Sequence, residues 1–268
     1  LVNGDLPFDV NLASVQLRVT DIKYMRPFLV DVSSVASGTT GFFTVPAPQG
    51  LQEGDVIVAF HATDVGALTS GEIFGGLPFT LIGQQASTGD IGRVRVWAKV
   101  AGPNEPSSYD VTQDASADGI IVLAAVRGAR NIIQPIAHVE GFSTASTGLP
   151  TLSSNPIAQS FELRFVSAET NVTFTVPAGF TKRADLSSAG FISGALGTRH
   201  VGDSPLGTGR HTFVASASAS GRITVTVNVI GTQTMTVEQQ PINARVGMTK
   251  LVPAGAAVSL WTPTRYAL

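Results

Sequence analysis

The sequence predicts an all-β chain, an antiparallel β-sandwich of jelly-roll-like type with extended N- and C-terminal arms. Three observations carry this. Apolar residues recur with a period of two in nearly every patterned segment, Gly and Pro punctuate the chain between those segments, and no window of about 12 residues shows a helical period with caps. The composition agrees: of 268 residues only 13% are charged, whereas 28 are Gly, 15 are Pro, 27 are Thr and 23 are Ser. A typical domain is about one quarter charged, so uncharged hydroxyl side chains take over much of the polar surface. Helical bundles and coiled coils, which need Ala, Glu, Lys, Leu and Arg at helical spacing, are excluded.

The strands follow in chain order. Val15, Leu17 and Val19 alternate with Gln16, Arg18 and Thr20. The run 55–62 is almost continuously apolar and β-branched, which marks a strand covered on both faces. Val94, Val96, Ala98 and Val100 alternate with Arg93, Arg95, Trp97 and Lys99, the pattern of a half-buried strand. The run 120–126 repeats the doubly covered pattern. Phe161, Leu163 and Phe165 alternate with Glu162 and Arg164, and Val172, Phe174 and Val176 with Thr173 and Thr175. Ile223, Val225, Val227 and Val229 alternate with Thr224, Thr226 and Asn228, which predicts Thr224 and Thr226, like Ser216 and Ser218, on outward rows. Turn signals such as Pro48-Gln49-Gly50, Gly102-Pro103-Asn104 and Gly148-Leu149-Pro150 separate these runs and leave no room for helical crossovers.

Three regions result: an N-terminal arm (1–32), a strand-dense body (33–231) and a β-rich C-terminal tail (232–268). The body contains an internal echo. Phe43-Thr44-Val45-Pro46-Ala47 recurs as Phe174-Thr175-Val176-Pro177-Ala178, and the stretch 109–128 resembles 211–231. A duplicated half-sandwich gives this pattern, and so does convergent strand chemistry in one sandwich. The arm carries Phe8, Tyr24 and Phe28, and the tail Trp261 and Tyr266. Aromatic residues in such segments predict docking, either on the body as extra strands or on another subunit.

Charge and cysteine usage narrow the function classes. A net charge of −2 leaves no basic footprint for nucleic acid. With no Cys, disulfides, thiolate metal sites and cysteine nucleophiles are all excluded. No apolar run approaches the roughly 20 residues of a membrane-spanning helix, so no membrane insertion is expected. The opening Leu1-Val2-Asn3-Gly4-Asp5 has neither the basic nor the apolar stretch of a secretion signal.

Several constellations invite chemistry, and each has a plainer explanation. His200 and His211 with Asp203 between them are of zinc-ligand type, but each His follows an Arg whose charge opposes a cation, as in a solvated hairpin. Asp110, Asp114 and Asp118 before Gly119 offer oxygens for calcium, yet their spacing is not that of a calcium loop and suits a hairpin turn. His61 ends a buried run and reads as a core-edge histidine. No nucleophile elbow and no close carboxylate pair stand out, so the sequence predicts no catalytic residues, no cofactor and no metal site. Arg93, Arg95, Trp97 and Lys99 share one strand face and form the candidate glycan or partner face, since a Trp beside cations can stack on a sugar ring. The plainer reading is an outer sandwich face or a subunit contact.

A family resemblance enters at Gly54-Asp55-Val56-Ile57-Val58-Ala59-Phe60, at Arg95-Val96-Trp97-Ala98-Lys99-Val100-Ala101 with Glu105-Pro106-Ser107-Ser108-Tyr109, and at Val126-Arg127-Gly128-Ala129. It continues through Val176-Pro177-Ala178-Gly179-Phe180-Thr181-Lys182-Arg183-Ala184-Asp185 and the strand pair 209–231. In order and spacing these segments resemble a jelly-roll-like β-sandwich module of tailed-bacteriophage virion proteins (head decorations, head fibres, minor tail proteins), also found in some bacterial surface proteins. The resemblance spans 35–231 and rests on turn and strand signatures. It implies a non-enzymatic virion component whose partners are other capsid or tail proteins and copies of itself, in trimers or pentamers. The alternative expectation is a glycan- or receptor-binding module at a phage tip or on a bacterial surface, with a host-surface glycan as ligand.

Overall fold

A computed structural model describes residues 17–64, 73–74, 78–87, 92–113, 117–129, 138–142, 144–152, 160–188, 191–201 and 209–239. Phe8, Trp261 and Tyr266 lie outside this set. The described residues contain strands and no helix, as the period of two predicts.

The chain divides into two units. In the first, β1 (Leu17–Tyr24) pairs antiparallel with β18 (Gln233–Gln239). Leu17 lies opposite Gln239 and Tyr24 opposite Gln233, with a bulge between Val19 and Asp21. The two segments flanking the body therefore form one two-stranded ribbon.

The second unit, Met25–Thr232, is the body. Its first half holds β2 (Phe28–Ser37), β3 (Phe42–Pro46), β4 (Val56–Thr63), β5 (Ile73–Phe74), β6 (Thr80–Ala86), β7 (Arg93–Val100), β8 (Ser108–Thr112) and β9 (Gly119–Arg127). Its second half holds β10 (His138–Phe142), β11 (Ser146–Thr151), β12 (Phe161–Ala168), β13 (Phe174–Thr175), β14 (Thr181–Ser188), β15 (Ile192–His200), β16 (His211–Ala219) and β17 (Arg222–Val229). Phe28, grouped with the arm in the sequence, opens β2 and belongs to the body. Met25 N–H donates to Thr232 O at 2.8 Å, so the body begins and ends side by side.

The two halves share one topology. The first forms sheets β2-β9-β4-β7-β6 and β3-β8-β5, and the second β10-β17-β12-β15-β14 and β11-β16-β13. Nested antiparallel pairing of β2 with β9, β3 with β8 and β4 with β7 is the wrapping of a jelly roll, and the second half repeats it strand for strand. The repeating unit is thus a complete eight-stranded sandwich, larger than a half-sandwich. The echo between 109–128 and 211–231 falls on equivalent strand pairs, β8–β9 and β16–β17. The Phe43–Ala47 echo does not: β3 is equivalent to β11, whereas Phe174 lies on β13, the equivalent of β5.

The two five-stranded sheets pack face to face in opposite order, with β14 against β2 and β10 against β6. The layers therefore run three, five, five, three. A central core joins Val56, Val58 and Phe60 of β4 and Val122 and Val126 of β9 to Leu163 and Phe165 of β12 and Val225 and Val227 of β17. Phe60 pairs with Val96 and Val122, and Phe165 with Leu196 and Val225, so the two rings occupy equivalent sites. They stack with centroids 5.2 Å apart and planes 18° apart. Close approach constrains backbone here: a Cβ on Gly194 would lie 2.4 Å from Ile120 Cδ1, and one on Gly141 2.7 Å from Ala86 O.

Each five-stranded sheet also faces its own three-stranded sheet. In the first sandwich Ile57, Ala59, Ile121 and Leu123 pack there against Val45, Tyr109 and Val111. In the second, Val166 and Ala195 pack against Leu149, Phe174, Phe213 and Ala215. This explains why β4 and β9 are almost continuously apolar: both faces are covered. Strands β12 and β17 are covered on both faces too, contrary to the outward rows expected from their alternation. Thr224 and Thr226 are fully buried and donate to Pro150 O and Leu152 O at 3.2 and 2.9 Å, whereas Ser216 and Ser218 on β16 are exposed as expected.

Removing the Phe165 ring leaves a void in the layer common to both sandwiches. Phe165→Ala should lower stability by about 3–5 kcal/mol in chemical denaturation, and a loss below about 1 kcal/mol would contradict a shared central core.

Candidate functional site

Charged groups in the two interiors are paired locally. In the first sandwich Lys99, on β7, is 1% exposed, and its Nζ lies 2.7 Å from Glu105 Oε2. Tyr109 Oη donates to the same oxygen at 2.7 Å, and Gly102 N–H to Glu105 Oε1 at 2.7 Å. The ammonium sits 4.9 Å from the Phe79 and Tyr109 ring centroids, within cation–π range. Burial alone would raise the Glu105 carboxyl, but the Lys99 contact, then Gly102 and Tyr109, holds it below the usual range. Burial and the bond to Glu105 push the Tyr109 phenol up.

This geometry corrects the proposed glycan face. Arg95 is 8% exposed, Lys99 is buried, and Trp97 packs against the first sandwich's own core. The row Arg93, Arg95, Trp97 and Lys99 faces the three-stranded sheet because Val94 and Val96 are claimed by the central core. Alternation identified the two faces but not which one meets water.

The second sandwich carries charge at positions that are apolar in the first. Glu162 and Arg164, on β12, match Ile57 and Ala59 on β4, and both are fully buried. Glu162 Oε1 accepts from Arg164 Nη2 at 2.6 Å and Nε at 3.0 Å, and Oε2 accepts from Arg199 Nε at 2.5 Å. Arg164 also donates to Thr151 Oγ1 and to Gly209 O. The Arg199 and Arg164 guanidiniums lie 4.6 and 5.4 Å from the Phe180 centroid. Burial would push the Glu162 carboxyl up, but Arg164 and then Arg199 override it and hold it low. Burial outweighs Glu162 at Arg164, whose pKa is lowered. Two guanidiniums share one carboxylate.

A cleft of about 270 Å³ lies beside the start of β2. Phe28 and Leu29 of β2 line it with Phe161 of β12, Thr181 and Arg183 of β14, and Thr198, Arg199 and His200 of β15. Arg183 is the extra residue of a bulge between Lys182 and Ala184, a feature that redirects side chains, and its Nε donates to Thr198 Oγ1 at 3.0 Å. The His200 ring stands edge-on to Phe161, with centroids 4.9 Å apart. The sequence marks His200 as a possible metal ligand but not Arg183 or the cleft, because the bulge and the meeting of β2 with β14 leave no local pattern.

The other sequence candidates separate. The His211 ring contacts Phe180, away from His200's partner Phe161, and Asp203 lies outside the described residues. Among the described residues, no group of three or more His, Asp or Glu could hold a metal. Asp118 accepts from Thr39 Oγ1 at 3.2 Å, and Asp114 lies outside the described residues. His61 is buried against Gln113, Nε2 to Oε1 at 3.1 Å, and burial lowers its pKa to about 4. Asp64 and Glu169 follow β4 and β12 at equivalent positions. Burial, then the Asp64 charge, raises Glu169 to about 7, and burial raises Asp64.

In comparisons with known proteins, the chain matches no family model, no curated protein and no solved structure.

Two outcomes follow. Glu162→Gln removes the negative charge shared by two guanidiniums and should cost about 3–5 kcal/mol, measured by urea unfolding, whereas a near-neutral result would contradict the pairing. For pH, the signs of two groups oppose. Glu169 is raised on folding, so its contribution is full below about 4.5 and is lost as pH rises through about 7. His61 is lowered, so its contribution is full above 6.5 and is lost as pH falls towards about 4. Glu169→Gln should therefore be more stable than the parent at pH 8, with the gap closing on acidification. Parallel stability curves would contradict the Glu169 assignment.

Proposed function

We propose that this chain is a non-enzymatic structural component of a bacteriophage virion, decorating the capsid or forming part of a head-fibre or tail assembly. Its partners are other virion proteins and copies of itself. The observation that carries this reading is the β1–β18 ribbon, which gathers both flanking segments of a closed, doubly wrapped body into one two-stranded element. Among the described residues no third strand joins this ribbon, and an open strand edge presents backbone groups to which a partner can add a strand. Many copies on a symmetric lattice multiply a modest contact. The body's buried charges favour a scaffold over a catalyst: Lys99 with Glu105, and Arg164 and Arg199 with Glu162, are committed to one another.

The residue chemistry fits that role. Low charge limits repulsion between crowded copies, and the exposed Ser216 and Ser218 supply polarity without it. The sequence resemblance to phage head and tail modules, together with the jelly-roll wrapping, supports the virion setting. Among the described residues no helix is long and apolar enough to cross a membrane. A second reading, a glycan- or receptor-binding module at a phage tip or on a bacterial surface, is favoured by one observation, the cationic cleft beside β2.

Lys23 and Thr234 lie opposite each other in the ribbon, two residues in from Met25 and Thr232, whose backbones bond directly, so they too are a hydrogen-bonded pair of the ladder. Replacing both with Pro removes two backbone donors and should break the pairing. The body should keep its thermal transition, while incorporation into virions, read by quantitative mass spectrometry, falls at least about tenfold, or roughly 1.4 kcal/mol of attachment. Purified virions that lack the chain altogether would overturn the proposal.

A further inference from the structure

The duplication sets two carboxyl groups against each other at one end of the central layer. Strand β4 pairs with β7 and β9 in the register that β12 keeps with β15 and β17, so Phe60 corresponds to Phe165 and Ala62 to Ser167. Asp64 and Glu169 are the next residues along these two rows. The rows meet across the layer where the Phe60 and Phe165 rings stack. The sandwiches touch again beside the two acids, through Gly92 at the start of β7. A Cβ on Gly92 would lie 3.4 Å from Thr63 O, next to Asp64, and 3.6 Å from Gly221 O, in the turn before β17. Gly221 packs directly on Glu169, since a Cβ there would lie 2.8 Å from Glu169 Oε2.

The two carboxyl groups are held differently. Asp118 N–H donates to Asp64 Oδ1 at 2.8 Å, and Asp64 N–H donates to Asp118 O at 3.1 Å. A backbone amide therefore fixes the Asp64 carboxylate and favours its charged form. Glu169 is anchored through its backbone: its N–H donates to Ser220 O at 3.0 Å, and its carbonyl accepts from the Thr170 hydroxyl at 2.6 Å. Among the described residues no donor meets its carboxylate. Of the two, Glu169 is the group that takes up a proton. Burial first, then the Asp64 charge, raises it to about 7, whereas at Asp64 the Asp118 amide works against burial.

The charged groups of the surrounding strands do not neutralise the pair. The start of β9 contributes a third acid, Asp118, which accepts from Thr39 Oγ1 at 3.2 Å. On β7, Arg93 lies on the face turned to the three-stranded sheet, since Val94 belongs to the central core. On β17, Arg222 likewise points away from the layer and donates to Thr144 O and Gly148 O. Strand β15 opens with the uncharged Ile192 and Ser193.

We propose that Asp64 and Glu169 form a proton-operated clasp between the two sandwiches: a proton on Glu169 leaves one negative charge and a closed end, and its loss sets two carboxylates against each other and loosens that end. Because Glu169 is raised on folding, the clasp is fully closed below about 4.5 and loosens as pH rises through about 7. The device is separate from attachment through the ribbon, so its failure leaves the virion reading untouched.

Carbon-13 NMR of the full chain, labelled at Asp and Glu side chains, reads the titration directly. Glu169 should titrate near 7, and Asp64→Asn should lower that midpoint. Amide hydrogen exchange, corrected for intrinsic rates, locates the response. Between about pH 6 and about pH 8.5 the Asp64 and Glu169 amides should lose at least about tenfold in protection, and Met25, at the far end of the body, less. Glu169→Gln should abolish that loss, whereas Glu53→Gln, at an exposed turn before β4, should leave it as in the parent. A Glu169 midpoint in the ordinary range of about 4–5 would overturn the proposal. A midpoint unmoved by Asp64→Asn would dissolve the pair, and equal losses at Met25 and Glu169 would reduce the clasp to a change in global stability.

Discussion

The body depends on the face-to-face contact of its two five-stranded sheets. A single eight-stranded wrap would leave the outer face of its larger sheet apolar and in water, with Val56, Val58, Phe60 and Val122 among the exposed residues. Stacking a second copy covers that face and creates the central core in which Phe60 and Phe165 meet. Burying each such side chain contributes about 1.5–3 kcal/mol, and the contact is large enough to bind the two sandwiches into one body. The opposed order of the sheets, β2 over β14 and β6 over β10, follows from approximate two-fold symmetry between identical topologies.

The same symmetry makes the divergence between the copies informative. Equivalent positions hold Ile57 and Glu162, Ala59 and Arg164, Ile82 and Arg183, Val100 and His200. At the matching positions the first sandwich packs apolar side chains beside the buried Lys99–Glu105 pair. The second places an arginine-rich network inside, with Arg164 and Arg199 around Glu162. An interior ion network is not needed for stability, since well-packed apolar side chains commonly serve as well or better. In this fold the first sandwich supplies that alternative directly.

Much of the architecture was legible in the chain because a period of two and Gly/Pro punctuation are local properties. The doubly covered strands β4 and β9 were recognisable from unbroken β-branched runs. Strands β12 and β17 were not, because Glu162, Arg164, Thr224 and Thr226 imitate a solvent-facing row while serving an internal polar network. The Arg93-to-Lys99 row failed as a surface for a related reason: alternation separates two faces without saying what covers each. The matching pentapeptides at Phe43 and Phe174 lie on non-equivalent strands, so similar strand chemistry misled where long-range pairing decided. The cleft had no sequence signature at all, since it joins the start of β2 to a bulge far along the chain.

If the central layer is what holds the body together, both sandwiches should unfold as one. Native-state amide hydrogen exchange measures this strand by strand. The slowest amides of Val56–Thr63, Gly119–Arg127, Phe161–Ala168 and Arg222–Val229 should share a single protection free energy, equal to that of global unfolding. Two protection classes divided between the first and second sandwiches would show that each stands alone and would contradict the account.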